Sequence, residues 1–382
     1  MTRFNRVLGF DPERRLVDVE AGITLGDLLD LTAPRALWLP VQPGYPAITI
    51  GGCIAANVHG KNPAREGTFR RSVESLTLFH PRYGTLRVDP EAPPGLFDLT
   101  CGGYGLTGVI LSARLRLEPL PGPVALVDRQ PIGTLAEGLA RVRAATEDSA
   151  FAYTWHDGTP SGRRFGRGFV FVGTIPPGPS SADRVTRPYR RLTAGSRARR
   201  PVSLWGRLTA PLLTAGFRHL ESLNPARNAL PLFDAMFPFA RRGEYFRLFG
   251  RRGLAEVQLL VPFDAADEFL AELSRQVLRG RPPALMVSLK LFRGTSGLLR
   301  FEGDGVCVTL DLVRSRPALA FLQVLDELAA AAGALPHIIK DSRLPGPVVR
   351  KCYPEYERFR ERLHVHDPAR LFGSELSQRL DL

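Results

Sequence analysis

Apolar positions alternate with period two in some stretches of the chain and recur every three to four residues in others. The switches between these periods mark the elements. Residues 4–21 read as a hairpin: FNRVLGF, a turn at DPERR, then LVDVEAG. Thr24 is placed to cap a short helix, LGDLLDLTA, that Pro34 ends. PAITIGGCIAANVHG is expected to begin as a strand and pass into a run of small residues. VESLTLFH and TLRVD, joined by PRYG, form a second hairpin. Gly103, Gly105 and Gly108 fit G-x-G-x-x-G, but a dinucleotide-binding turn requires a helix after it. Here Val109, Leu111, Ala113, Leu115 and Leu117 alternate with Ser112, Arg114 and Arg116, which predicts a strand. The glycines then serve a tight turn or a close backbone approach.

From residue 123 the pattern changes. VALVDRQ reads as a strand, and Thr134 with Glu137 forms a capping-box pair opening the helix LAEGLARVRAATED. FAYTWHD and RGFVFVG are strands. The order then recurs: AEVQLLVPF, a helix DAADEFLAELSRQVL, and strands ALMVSLKLF and GVCVTLDLV, followed by a third helix, PALAFLQVLDELAAAAG. Strand–helix–strand–strand twice over predicts an α+β domain with an antiparallel sheet and helices on one face. The two copies share the pattern but no sequence identity.

Between the copies, residues 184–230 are the least regular. RPYRRLTAGSRARRP is dense in arginine, and Leu204, Leu208, Leu212 and Leu220 fall at multiples of four, with Pro211 expected to interrupt any helix there. Two readings stay open: an amphipathic helix lying on an anionic membrane surface, or a helix packed on its own domain behind a solvated loop. HIIKDSR reads as strand-like and GPVVRKCYPEYERFRERL as helical. Asp367 before Pro368 reads as the N-cap of a last helix, PARLFGSELSQRL.

Composition narrows the class. The chain has 382 residues, 44% hydrophobic and 23% charged, as in a globular protein of two or three domains. No run of about 18 uncharged apolar residues supports a membrane span, and the N-terminus lacks the apolar core of a signal peptide. Cys53, Cys101, Cys307 and Cys352 are widely spread without metal-ligand spacing, so no metal is expected. They read as free thiols in a reducing, cytoplasmic compartment. The net charge is +13, and of 51 basic residues only Lys61, Lys290, Lys340 and Lys351 are lysine. Arginine-favouring codons account for that bias. It still singles out the lysines, whose compact ammonium and tunable pKa suit a site better than a guanidinium does. Nucleic acid fits poorly: the arginine-rich region holds one aromatic, Tyr189, and no recognised motif.

The stretch QPGYPAITIGGCIAANVHGKNPAREGTF with GGYGLTGVI, the KLF of 290–292, the KDSR of 340–343 and the closing DPARLFGSEL resemble the vanillyl-alcohol oxidase (PCMH-type) FAD-binding superfamily. Within it they look most like the decaprenylphosphoryl-β-D-ribose 2'-oxidases. The resemblance implies a two-part FAD domain built from both chain ends, 1–122 and 335–382, with an antiparallel substrate (cap) domain, 123–334, inserted between. It implies non-covalent FAD and oxidation of a secondary alcohol of a sugar or polyprenyl-phosphate sugar by hydride transfer to flavin N5. The electrons would pass on to oxygen, a quinone or a reductase partner, in a bacterial enzyme of cell-envelope biosynthesis with possible peripheral membrane contact.

Pro43, Gly44, Thr49, Ile50, Gly51 and Gly52 would approach the cofactor. Ala55, Ala56, Asn57 and Val58 would line the flavin, and Ile110 would back the adenine or ribose. His59 would sit by flavin and substrate, and Lys340 by the flavin pyrimidine, where a cation stabilises negative charge on the reduced ring. Lys290 joins these two as a catalytic candidate, and Gln258, Lys290, Phe292 and Thr309 would line the substrate pocket. Four departures accompany this. The family's glycine-rich diphosphate loop would fall just before Met1. Arg70 stands for a glycine, Tyr45 for a threonine, and His337 for a tyrosine that touches the cofactor. Matching the strand aspartate to Asp311 puts Thr309 at the family's pocket cysteine, while Cys307 lies two residues away on the same face. The alternatives are a soluble alditol or aldonolactone oxidase, or a basic lipid- or nucleic-acid-binding protein that has lost the cofactor.

Overall fold

The computed structural model describes residues 3–162, 164–178, 202–206, 209–238 and 247–382. The N-terminal part supplies strands β1 (Val7–Asp11), β2 (Leu16–Glu20), β3 (Leu37–Trp38), β4 (Val73–His80), β5 (Gly84–Val88), β6 (Val109–Arg116) and β7 (Glu118–Pro119). Five of them form an antiparallel sheet in the order β1-β2-β6-β4-β5, and β3 pairs with β7. Both predicted hairpins are present, and Thr24 caps the helix Leu25–Thr32 by accepting the Asp27 N–H at 3.1 Å. The GGYGLTG stretch turns into β6 as expected. Gly108 has φ +142°, and a Cβ there would stand 2.6 Å from the Phe79 carbonyl, so this glycine admits close strand pairing within the chain itself.

The second sheet has eight strands: β8 (Val124–Ile132), β9 (Phe151–Asp157), β10 (Gly168–Thr174), β11 (Arg227–Pro231), β12 (Leu254–Val261), β13 (Ala284–Phe292), β14 (Gly305–Val313) and β15 (Leu335–Pro336). Their order is β11-β8-β10-β9-β13-β14-β12-β15, antiparallel throughout. One face takes three helices. Leu139 and Val142 from Leu135–Ala145, Phe269 and Leu273 from Ala266–Gly280, and Leu322 and Leu325 from Arg316–Ala331 pack on Val257, Leu259, Val287, Leu289, Val308 and Leu310. Each of these strand residues is one of the alternate positions that a half-covered strand turns towards its helices. Thr134 caps the first helix through the Glu137 N–H at 3.1 Å, but the Glu137 carboxylate returns to Gly133 rather than Thr134, so the box closes one residue early.

The larger core cluster joins the two ends of the chain. Val17, Val19, Leu76, Leu78 and Leu115 share it with Ile338, Val349, Tyr356, Phe359, Leu363 and Leu380. Within the C-terminal part, buried Tyr353 donates its hydroxyl to the Pro336 carbonyl at 2.7 Å.

Several expectations are corrected. The stretch from Pro46, expected to begin as a strand, forms none beyond a single bridge at Thr49, and the small-residue run opens as a helix, Ile50–Ala55, which Thr49 caps by accepting the Gly52 N–H at 3.2 Å. HIIKDSR is a series of turns after β15, with the Lys340 and Asp341 N–H groups both closing on the His337 carbonyl. The stretch from 346 is two helices, Gly346–Cys352 and Tyr356–His366, parted at Pro354. The last helix starts at Glu375, not after Pro368, because Ser374 and Ser377 supply the capping box. Asp367 instead accepts the Phe372 N–H in the preceding turn. Pro211 does not interrupt the helix Thr209–Leu223 but lies in its first turn, where a missing N–H costs nothing. That helix sets Phe217 against Trp155 and leaves Leu212, Leu220 and Leu223 exposed. Leu208 and the arginine-rich stretch 184–200 lie outside the described residues. Among the described residues, no helix is long and apolar enough to cross a membrane.

Candidate active site

The other face of the eight-stranded sheet carries the chemistry. Register sets Lys290 opposite Cys307, Ser288 opposite Thr309, and Gln258 opposite Thr309 on the far side. Side chains two apart on a strand share a face, so Glu256, Gln258, Met286, Ser288, Lys290, Phe292, Cys307, Thr309 and Asp311 all lie on it. β13 is an interior strand, yet its positions 286, 288 and 290 on this face keep partial exposure while 287, 289 and 291 are buried. The row continues onto β9, where Tyr153 and Trp155 are also partly exposed. A strand deep inside a sheet keeps accessible surface only where a cleft opens above it.

Over this face hangs the small-residue segment. Gly51 packs against Ala21: its N–H donates to the Ala21 carbonyl at 2.8 Å, and a Cβ would stand 3.0 Å from that of Ala21. The helix 50–55 then delivers Asn57, with φ +43°, Val58 and His59 to the sheet. His59 is 9% exposed. Its Nε2 lies 3.2 Å from Gln258 Oε1 and its Nδ1 3.1 Å from the Gly60 carbonyl. Phe292 meets the ring edge-on at 4.9 Å between centroids, and Phe301 and His337 stand at 6.0 Å. Burial, reinforced by the Lys290 charge, pushes the His59 pKa down to about 3. His337 is held down by burial too, with His59 next in effect, and Phe301 stacks on it at 4.5 Å. Lys61, in the same segment, lies over the Tyr153 ring at 5.0 Å.

Lys340 comes to the rim of the same site. Its Nζ is 3.1 Å from Glu256 Oε1, and the same carboxylate oxygen accepts the Gln258 side-chain amide at 2.7 Å. Lys290, enclosed on the sheet, has its ammonium destabilised by burial, offset in part by Cys307 and worsened by Lys340. The choice between Cys307 and Thr309 resolves into both: they share the face, with Sγ and Oγ1 3.9 Å apart. Cys307 is the deeper and is fully buried, in a small cluster with Leu260, Phe292 and Phe301. Burial raises the Cys307 thiol pKa.

Other predicted residues are spread around this centre. Thr49 spends its hydroxyl oxygen on its helix cap, and Ile50 is buried in the larger core. Ile110 lies on β6 opposite Leu78 and is buried in the larger core. Pro43 and Gly44 lie half-buried in the loop before Thr49, while Tyr45 is exposed. The sequence reading missed Glu256, Phe301 and a buried pair between Arg300 and Glu302. Glu302 also accepts from Asn57 Nδ2 at 3.1 Å and Thr68 Oγ1 at 3.0 Å, tying the segment between β13 and β14 to the flavin-wall candidates. Arg70, an unexplained departure in the sequence, donates its N–H to Asn57 Oδ1 at 3.1 Å and pairs with Asp98. A separate cavity of about 600 Å³, lined by Arg65, Arg143, Phe263, Leu291 and Arg293, is on the opposite side of β13 from Lys290.

The donor set suits a flavin. A buried His337 Nδ1 has no hydrogen-bond partner, and two lysines converge near it, as a ring with several carbonyl and nitrogen acceptors requires. Among the described residues no His, Cys, Asp or Glu cluster could hold a metal. A sequence profile of an FAD binding domain matches residues 1–88. The chain is 27% identical to the decaprenylphosphoryl-β-D-ribose oxidase of Mycolicibacterium smegmatis, over all of this chain and 84% of that one. It is 31% identical to an uncharacterized protein in the mprA 5' region of Streptomyces coelicolor, over 94% of this chain and all of that one.

The chain belongs to the PCMH-type FAD-binding family.

Mouse L-gulonolactone oxidase is similar over a shorter span, 31% identical across 31% of this chain and 27% of its own length. Membership makes the protein an FAD-dependent oxidoreductase of a family that acts on alcohols. The reading of a fold that has lost its cofactor is set aside, and the mixed helix-and-antiparallel-sheet architecture agrees with the family.

Proposed function

We propose that this PCMH-type flavoprotein oxidises a secondary alcohol of a sugar, carried on a polyprenyl phosphate, to the ketone. The observation that carries the reading is the convergence of His59, Lys290 and Lys340 on one polar sheet face above a cleft. Full-length similarity to a decaprenylphosphoryl-β-D-ribose oxidase supports the substrate class. The arrangement proposed is an FAD domain from 1–122 and 335–382 with 123–334 inserted as a cap. The larger core cluster packs Val17, Leu76 and Leu115 with Ile338, Val349 and Phe359, which supports pairing of the two chain ends, and it also takes in Ala125, Phe151 and Phe233 from the 123–334 segment.

FAD, when bound, supplies the acceptor for the hydride that leaves the alcohol carbon. Pro43, Gly44, Thr49 to Gly52, Ala56 to His59, Ile110, His337 and Lys340 would hold it. Gln258, Lys290, Phe292 and Thr309, with Cys307 beneath, would hold the sugar. Loss of hydride leaves the hydroxyl proton to be taken up. Lys290 is the suited base, because burial lowers its pKa and so eases release of its ammonium proton, after which the free amine can accept the proton of the hydroxyl. Lys340 keeps a cation at the rim, where developing negative charge needs one. His59, buried and neutral, shapes the wall between the two lysines. The exposed Leu212, Leu220 and Leu223 and the net charge of +13 support peripheral contact with an anionic bilayer on the cytoplasmic side.

The test is anaerobic mixing of the FAD-loaded protein with decaprenylphosphoryl-β-D-ribose, L-gulonolactone or an alditol. Flavin bleaching by the lipid-linked sugar alone is expected. Bleaching by L-gulonolactone or the alditol alone would replace the substrate class with the soluble one. Bleaching by none would overturn the reading.

A further inference from the structure

Glu256 has no role in the reading above, yet it ends a chain of contacts that reaches His59. The chain runs from Lys340 Nζ to Glu256 at 3.1 Å, from Glu256 to the Gln258 amide at 2.7 Å, and from Gln258 to His59 Nε2 at 3.2 Å. A carboxylate has no proton to give, so the end of the Gln258 amide that faces Glu256 must be its NH2 group. The other end, the oxygen, is therefore turned to His59. Imidazole and amide hydrogens are placed by their surroundings, and here the surroundings leave one choice for the amide.

His59 then stands between two oxygens, Gln258 Oε1 and the Gly60 carbonyl at 3.1 Å from Nδ1. Each can only accept. A neutral imidazole has one N–H, so the two oxygens compete for a single proton. Around the ring stand Phe292, Phe301 and His337, with Lys290 and Lys340 as the charged groups that face it, so a second proton is opposed from every side.

We propose that Glu256 is a positioning residue that sets the direction of this hydrogen-bond chain, and so holds the His59 proton on Nε2. Every donor then points towards the carboxylate: His59 Nε2–H to Gln258, Gln258 N–H to Glu256, with the Lys340 ammonium on the same carboxylate. Nδ1 is left unprotonated beside the Gly60 carbonyl. The Lys340 ammonium and the Gln258 amide share one Glu256 oxygen, so an amide at 256 keeps its own oxygen there while Lys340 is present. The constraint is removed when both go: in Glu256→Gln with Lys340→Met the new NH2 can donate to Gln258 Oε1, Gln258 can turn its own NH2 to the His59 Nε2 lone pair, and the proton moves to Nδ1, where it donates to Gly60. The chain then runs the other way. The inference rests on the proposed function only in giving His59 a place beside the flavin.

The test is long-range 1H–15N correlation on the full chain labelled with 15N-histidine, with and without FAD, with the His59 signals identified by their loss in His59→Gln. In the wild type, Nε2 is expected in the protonated range and Nδ1 in the unprotonated range. In Glu256→Gln/Lys340→Met the two assignments exchange. Gln258→Leu, which cuts the chain at its middle, should also move the proton to Nδ1, and it serves if Glu256→Gln/Lys340→Met does not fold. A wild-type proton on Nδ1, or a proton that stays on Nε2 in either folded variant, overturns the proposal. The readout needs no substrate, so failure of every sugar to bleach the flavin would sink the proposed function and leave this result standing.

Discussion

The two faces of the eight-stranded sheet are built from the same strands and do opposite work. On β13, Leu289 faces three helices and is fully buried, while its neighbour Lys290 faces the cleft. On β12 the pair is Leu259 and Gln258, and on β14 it is Val308 and Thr309. Period-two alternation thus lets one strand carry a purely aliphatic packing surface and a polar, ionisable one with no compromise between them. Groups on or against the other face are in costly states, a lysine with a lowered pKa and two buried histidines with lowered pKa values, which burial accounts for.

The comparison breaks most sharply on the chemical side. Lys340→Ala should lower turnover by roughly a hundredfold or more, the scale of losing one electrostatic stabiliser, and leave the melting temperature nearly unchanged. Turnover within a few-fold of wild type would show that the carried-over role of Lys340 is wrong. On the packing side, Leu289→Ala should cost about 2–5 kcal/mol in urea titration, with flavin reduction per folded molecule unaltered. A fall in that rate would mean the faces are not independent.

Acid tests both faces together. His156, on the helix side against Gly138, is pushed down to about 4 by burial, and His59 on the cleft side to about 3. Below about 6.5 these histidines are protonated in the unfolded chain and neutral in the fold, so the unfolded state binds more protons. Their contribution is complete above about 6.5 and declines as pH falls, by about 1.4 kcal/mol per pH unit for each. Urea midpoints should drop from pH 7 to 5, and an unchanged midpoint would contradict the buried neutral states. The smallest effect belongs to the helix edge: Thr134→Ala should cost about 1 kcal/mol without touching flavin reduction, checked by the same titration.

Much of this was legible along the chain. The two strand–helix–strand–strand runs, the alternation around Lys290 and the HGKN segment are local patterns, and local patterns survive without coordinates. The helix at 50–55 was not legible, because Ile48 and Ile50 read as strand while the deciding fact is that Thr49 turns its oxygen to the Gly52 N–H. The turns at 337–343 were hidden for a similar reason, since two amides closing on one carbonyl leave no pattern in residue type. Glu256 was missed although it sits two residues before Gln258. Alternation alone places it on the right face, but its meaning comes from Lys340, 84 positions away (340 − 256), and no periodicity connects them. The Arg300–Glu302 pair was hidden likewise, its partners Asn57 and Thr68 lying more than two hundred residues earlier.

The most direct test sets two adjacent residues against each other. Lys290→Met and Leu289→Ala would each be loaded with FAD and mixed anaerobically with decaprenylphosphoryl-β-D-ribose, at a temperature where both are folded. The account predicts that Leu289→Ala bleaches its flavin at the wild-type rate while Lys290→Met loses most of that rate. Equal rates in the two variants, or the greater loss in Leu289→Ala, would contradict it.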